Sequence, residues 1–120
     1  MNKFWNHLRT VQKHRKEVRR LCFKCGLYWQ GLTHDLSKYS PTEFFSSVKY
    51  YNGNHSPIDD EIKELGYSKC WLHHMAHNKH HWSYWVDVEH SIKADMPYEY
   101  IVEMFCDRVA ASKTYNPKTY

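Results

Sequence analysis

The sequence has no apolar run approaching the roughly 20 residues that a membrane-spanning helix requires, which argues against a helical membrane protein. Its opening, MNKFWNHLRT, places charge and polarity where a secretory signal would need an apolar stretch. A cytoplasmic location is therefore expected. There is no repeat, no low-complexity tract and no glycine- or proline-rich linker, so residues 1–120 read as one domain, long enough to bury a core of its own. The cysteines at 22, 25, 70 and 106 are too few and too scattered for a disulfide framework. Cys22 and Cys25 form a C-x-x-C, but no second pair follows to complete a zinc site, and no βαβ unit accompanies them as a redox motif would require. Packed helical cysteines are the expectation. A glycine-rich phosphate loop is also missing, and the net charge of +4 is too small by itself to imply nucleic acid.

What is abundant is aromatic side chain and histidine. Rings make up 17% of the chain and compensate for a hydrophobic share of only 42%, because each buried ring removes a large area from water. The ten tyrosines and five tryptophans could cover a homodimer face as readily as a core. Ten histidines outnumber the five phenylalanines. Imidazole is the commonest metal ligand and the side chain that titrates near neutral pH, so composition alone points to a metal or to acid–base chemistry.

The punctuation is helical. Over residues 2–25, Phe4, Val11, Val18, Leu21 and Cys25 recur at helical spacing and form one apolar stripe. Arg9, Lys13, Lys16, Arg20 and Lys24 form a basic stripe on the other side, and Gly26 is a natural stop. A connector follows. Ser40-Pro41-Thr42-Glu43 then offers a cap, a first-turn proline and a glutamate at the third position; that helix is expected to run to about Tyr51. Ser56-Pro57 repeats the signal for a helix ending near Gly66, and Ser68 caps the next. A last helix starts near Asp95-Met96-Pro97, holds through Ala111 and ends at Asn116-Pro117. The only weak strand candidate is 86–89. The fold class is all-α, with about five or six helices.

Several residues carry candidate chemistry. His14 lies between Val11 and Val18 and points inward with them; His7 shares the stripe one heptad earlier, nearer the end. His34-Asp35 joins a nitrogen donor to a carboxylate able to bridge two cations, with Lys38 placed to meet an anionic substrate. The plainer reading is a helix start with Asp35 in its first turn. Residues 73–81 hold five histidines, too many to bury unpaired. His74 shares a face with Trp71, Met75 and Asn78 and looks inward, while His80 and His81 follow where the helix breaks. A solvated histidine-rich loop, or a partial zinc site from Cys70, His73 and His77, are the alternatives there. Asp107 shares a face with Tyr100, Glu103 and Met104. Two carboxylates four residues apart repel unless a cation or proton sits between them or water solvates them. The alternative is an exposed acidic face paired with Arg108 or Lys113.

In order, His14, His34-Asp35, a histidine cluster and Asp107 resemble the H…HD…D pattern of the HD-domain superfamily of metal-dependent phosphohydrolases. HDLSK is similar to that superfamily's HD-x-x-K version. The stretches HDLSKYSPTEF, WLHH, NKHHWSYW and MPYEYIVEMFCDRVAAS look like a small HD-like family of bacteria and phages. The resemblance implies a helical metal-dependent phosphohydrolase. His14, His34, Asp35 and Asp107 would hold a first metal, and His74 with His80 or His81 a second. Lys38, Asp35 and His74 would serve catalysis, and His77 would stay outside the site. One or two divalent ions (Mn, Fe, Zn or Mg) and a small phosphorylated, nucleotide-type substrate are implied, with nucleic acid unlikely as a partner. A non-catalytic metal-binding or interaction module, or an iron-dependent redox enzyme on the same ligands, are the alternatives.

Overall fold

The structure is a computed structural model and describes residues 2–115. Six α-helices dominate: α1 (Lys3–Lys24), α2 (Tyr28–Thr33), α3 (Pro41–Lys49), α4 (Pro57–Leu65), α5 (Lys69–His77) and α6 (Tyr98–Tyr115). The all-α expectation holds. No helix among the described residues is long and apolar enough to cross a membrane.

The helix starts follow the serine signals. Ser40, Ser56 and Ser68 each cap a first turn through the side chain, accepting from the amides of Glu43, Ile58 and Trp71 and satisfying donors that a helix start leaves open. Pro41 and Pro57 occupy the first helical positions behind them. Gly26 and Gly66 take the positive φ that closes α1 and α4. The ending expected at Asn116-Pro117 lies outside the described residues.

Three features differ from the sequence reading. The connector after Gly26 contains α2 and a 3-10 turn at Leu36–Tyr39. Residues 86–93 make a small antiparallel hairpin, β1 (Val86–Asp87) with β2 (Ile92–Lys93), rather than one weak strand. On α1 the buried stripe is His7, Val11, His14, Val18 and Cys22. Cys25, the cap residue just past the end of α1, is exposed, and Phe4 is only partly covered.

The apolar core is small. Val18, Cys22, Cys106 and Ala110 knit α1 to α6, with Leu21, Leu27 and Val102 around them. Burial pushes the Cys22, Cys70 and Cys106 thiols up, Cys70 to about 11, which leaves them protonated packing groups. Gly31 lets α2 lie close on α1, since a Cβ there would come within 3.0 Å of the Phe23 ring. Lys113 reaches Glu17 at 3.0 Å and pins α6 to α1. The remaining large buried side chains are mostly polar: His34, His80, Glu43, Glu61 and Asp35 are all below 2–3% exposure. Glu61 is accounted for by the fold, accepting from Ser68 Oγ and the Cys70 amide where α4 meets α5. The other four meet at one place.

Candidate metal centre

The centre begins with a backbone device. α2 ends at Thr33, His34 follows in an extended conformation, and Asp35 turns left-handed at φ 55°. The two side chains therefore leave the chain as consecutive residues of a tight turn, not of a helix, and both are buried to 2% exposure or less. Arg15 fixes this turn, donating Nε–H to the His34 carbonyl at 2.9 Å and Nη2–H to that of Leu32 at 2.9 Å. Aspartate tolerates the left-handed region better than most residues.

Around Asp35 two groups of donors assemble. His14, His34, Asp35 and Asp107 form the first, and Asp35, His74, His80 and His81 the second; within each, one donor atom per residue lies within 4.8 Å of all the others. Asp35 belongs to both. Its Oδ2 lies 3.1 Å from His34 Nε2, and its Oδ1 lies 3.0 Å from His80 Nε2 and 3.3 Å from His74 Nε2. Asp107 Oδ1 meets His14 Nε2 at 2.7 Å and His34 Nε2 at 3.3 Å. His74 and His81 face each other Nε2 to Nε2 at 2.9 Å. Donors bound at about 2.1 Å to one octahedral ion are roughly 3.0 Å apart, and roughly 3.4 Å in a tetrahedral one. The pair distances just given, 2.7 to 3.3 Å, fall in or just below that range.

The outward faces of the imidazoles are held by two further carboxylates. His34 Nδ1–H donates to Glu103 Oε2 at 2.7 Å, and His80 Nδ1 lies 3.0 Å from the same oxygen. His74 Nδ1–H donates to Glu43 Oε1 at 2.7 Å, and His73 Nδ1–H to Glu43 Oε2 at 2.6 Å. A carboxylate on Nδ1 fixes the ring orientation and turns Nε2 toward the centre, the outer arrangement characteristic of metal-bound histidine.

The same atoms form a network of ion pairs. Burial works against charge on His34, but Asp35, Asp107 and Glu103 raise its pKa well above the ordinary value. Burial is likewise outweighed at His74, which Asp35 and Glu43 bring up to about 9. His81 goes the other way, lowered to about 3 by burial and by the neighbouring His80 and His74. Asp35 and Asp107 sit far below the usual carboxylate range, despite burial, because of the imidazoles around them. The network is not fully satisfied. Asp35 Oδ1 and His80 Nε2 are buried without a properly directed hydrogen bond, although 3.0 Å apart, and His14 Nδ1 has no partner. Asp35 Oδ1 and His80 Nε2 thus meet as an ion pair without good hydrogen-bond direction, and a cation between them would satisfy both. The donor set fits a metal.

Every metal ligand expected from the sequence is brought to this place: His14, His34, Asp35 and Asp107 to one side, His74, His80 and His81 to the other. Lys38 Nζ lies 3.3 Å from Asp35 Oδ2, at the rim. His77 stays outside, stacked on His73 at 4.0 Å and exposed. Cys70, His73 and His77 form no ligand group among the described residues; Cys70 turns instead to Ser47 Oγ at 3.3 Å. Asp107 faces the histidines rather than solvent, and Lys113 is taken by Glu17. Two participants were not picked out from the sequence, Glu43 and Glu103. The repulsion expected between Glu103 and Asp107 was the available signal for one. Glu43 looked like the reciprocal partner in a capping box.

Searches of curated proteins and of solved structures return no match to this chain. A family model described as "Family of unknown function (DUF5662)" matches residues 3–120, and the chain belongs to that family.

Proposed function

We propose that this protein is a metal-dependent phosphohydrolase, with its kinship to HD-domain enzymes resting on the order and identity of the ligands. The observation that carries the reading is Asp35. A carboxylate buried to 1% exposure, with one oxygen toward His34 and the other toward His74 and His80, is placed to serve two cations at once. The imidazole-rich surroundings favour Mn, Fe or Zn over Mg, which prefers oxygen ligands and retained water.

A divalent ion held by these residues would supply hydroxide from a bound water, its proton passing to solvent, and would neutralise phosphoryl charge. The residues do the rest. A cavity of about 180 Å³ opens onto His14, Asp35, His74, His81 and Asp107, with Lys38 in its wall. The Lys38 ammonium meets a phosphoryl oxygen there, and Asp35 holds it in place beforehand. The number of ions decides what His74 does. If the first group alone held an ion, His74 would keep a proton on Nε2, supported by Asp35 and Glu43, and could hand it to the leaving oxygen. If both groups held an ion, His74 would be among the residues holding it, and the leaving group's proton would come from water instead. The thiols read as reduced packing groups, in keeping with the proposed cytoplasmic setting.

The test is metal content of purified protein by mass spectrometry, followed by phosphoester turnover of the loaded form. One or two equivalents of a transition metal are expected, lost in folded His34→Ala and Asp35→Ala variants. Lys38→Met is expected to keep the metal and lose on the order of 100-fold in turnover. A non-catalytic metal module would leave Lys38→Met indistinguishable from wild type. No metal after reconstitution with manganese, iron, zinc or magnesium would remove the proposal.

A further inference from the structure

The cavity that reaches the metal centre has another end. There, seven residues before His14 and so about 10 Å along the axis of α1, His7 faces the same space. Its ring lies against Phe44 at 5.2 Å and Tyr51 at 5.9 Å, and the residue is only 7% exposed. His7 Nδ1 is buried with no hydrogen-bond partner. The neighbouring hydroxyls are already engaged, Thr10 Oγ1 with the Asn6 carbonyl and Tyr51, and Ser47 Oγ with Cys70. Between the two ends the wall is largely apolar, from Val11, Pro57, Ile58 and Trp71.

From this arrangement we infer that the cavity receives the organic part of the substrate, and that His7 selects a small, uncharged, hydroxyl-bearing group. The inference rests on the proposed phosphohydrolase reading for the placement of the phosphoryl group, and narrows its substrate. A buried polar atom left without a partner is rare in a fold unless something else supplies one. Burial, and then Lys38, lower the His7 pKa to about 4, so the ring offers a hydrogen bond and no charge. A hydroxyl both donates and accepts, and so satisfies Nδ1 in either tautomer. A carboxylate or ammonium would lose its hydration beside His7, and the neutral ring would offer it no opposite charge. Size sets the second limit. An apolar cavity of ~150 Å³ accepts benzene, so about 180 Å³ accommodates on the order of seven heavy atoms. A nucleoside, with well over twice that number, would leave its base outside.

The experiment uses full-length, metal-loaded protein and titration calorimetry with two series of non-hydrolysable ligands: n-alkylphosphonates of about three to six carbons, and their terminal-hydroxyl counterparts. At one length the hydroxylated ligand is expected to bind about tenfold more tightly. His7→Leu should erase that difference while binding the plain alkylphosphonate as well as wild type does. Equal affinities in wild type, or a preference that survives in His7→Leu, would overturn the inference, as would failure of both series to bind. Should His7→Leu not fold, Ile58→Phe fills the cavity instead; it is expected to exclude both series and leave inorganic phosphate binding intact, and unchanged binding of the series would count against the site. Because phosphonates do not turn over, the two readings part cleanly. Hydroxyl selection without hydrolysis of any phosphoester removes the proposed activity alone, and hydrolysis without selection removes this inference alone.

Discussion

Replacing Glu103 with glutamine keeps the shape of the side chain and removes its charge. In the native protein one oxygen, Glu103 Oε2, serves the Nδ1 groups of both His34, at 2.7 Å, and His80, at 3.0 Å. Bonds to a charged acceptor are worth roughly 1.5–3 kcal/mol against roughly 0.5–1.5 kcal/mol for neutral ones. Weakening two of them by about 1 kcal/mol each gives about 2 kcal/mol, or close to a 30-fold loss of metal affinity, within the range typical of outer carboxylates on metal-bound histidine. The pH dependence sharpens the prediction. The carboxylate stabilises a proton on these rings as well as a metal, and it is one of the groups that raise their pKa values. At low pH the ion must displace those protons, so part of the loss cancels; at higher pH it shows in full. Competition with a chromophoric chelator from about pH 6 to 9 should show a wild-type-to-variant ratio that grows with pH. Glu17→Gln, whose carboxylate pairs with Arg20 and Lys113 away from the centre, is the control and should leave affinity unchanged. Wild-type affinity in Glu103→Gln at every pH would refute the assignment of Glu103 as the orienting group.

The metal-free protein should be most stable near neutrality. His34, His74 and His80 have raised values, so their contribution is full below ~6.5 and lost as pH rises, for His74 through about 9 and on the order of 3 kcal/mol. On the acid side His7 and His81, lowered to about 4 and about 3, cost stability as pH falls below ~6.5, and the depressed carboxylates of Asp35, Asp107, Glu43 and Glu103 add to the loss below ~4; a melting temperature that is flat from pH 4 to 9 would contradict these assignments. Metal binding near pH 7 should release protons, detectable as an enthalpy that varies with the ionisation heat of the buffer, and identical heats in two such buffers would argue against imidazolium in the free centre. Arg15→Ala should cost about 2 kcal/mol, a drop of roughly 8 °C in melting temperature, because two carbonyls of the His34 turn lose a charged donor. Arg15→Lys should restore little of it, since one ammonium cannot span both carbonyls, and full rescue would show that charge alone is what the turn requires.

What the sequence made legible were features whose physics is local. A capping serine reports a helix start, twice here with a proline behind it, and all three serine caps are where the sequence put them. The period of α1 turned His14 inward with Val11 and Val18, and the face shared by Glu103 and Asp107 on α6 was visible from their separation alone. Each of these needs only one element. α2 escaped for the converse reason: six residues are too few to show a period, and its aromatics point outward, Tyr28 at 63% exposure and Trp29 at 74%. No stripe existed to be read.

Glu43 shows where local reasoning ends. Its position three after Ser40 has the form of a capping box, in which the glutamate would turn back to the start of its own helix. Ser40 does cap the Glu43 amide, but the carboxylate turns across to α5 and takes His73 and His74 at 2.6 and 2.7 Å. The reason is energetic and lies outside the motif. A reciprocal cap at an exposed helix start is worth about 1 kcal/mol, whereas His74, buried at 5% exposure, would lose more with Nδ1 unpaired. Only when α3 is packed against α5 does that larger demand exist. The same holds for Glu103, whose two imidazoles arrive from the turn after α2 and the loop after α5. The seven candidate ligands carry a sequence signature because their chemistry is rare; the carboxylates that aim them are common residues, and become specific only through the packing that buries the rings they hold.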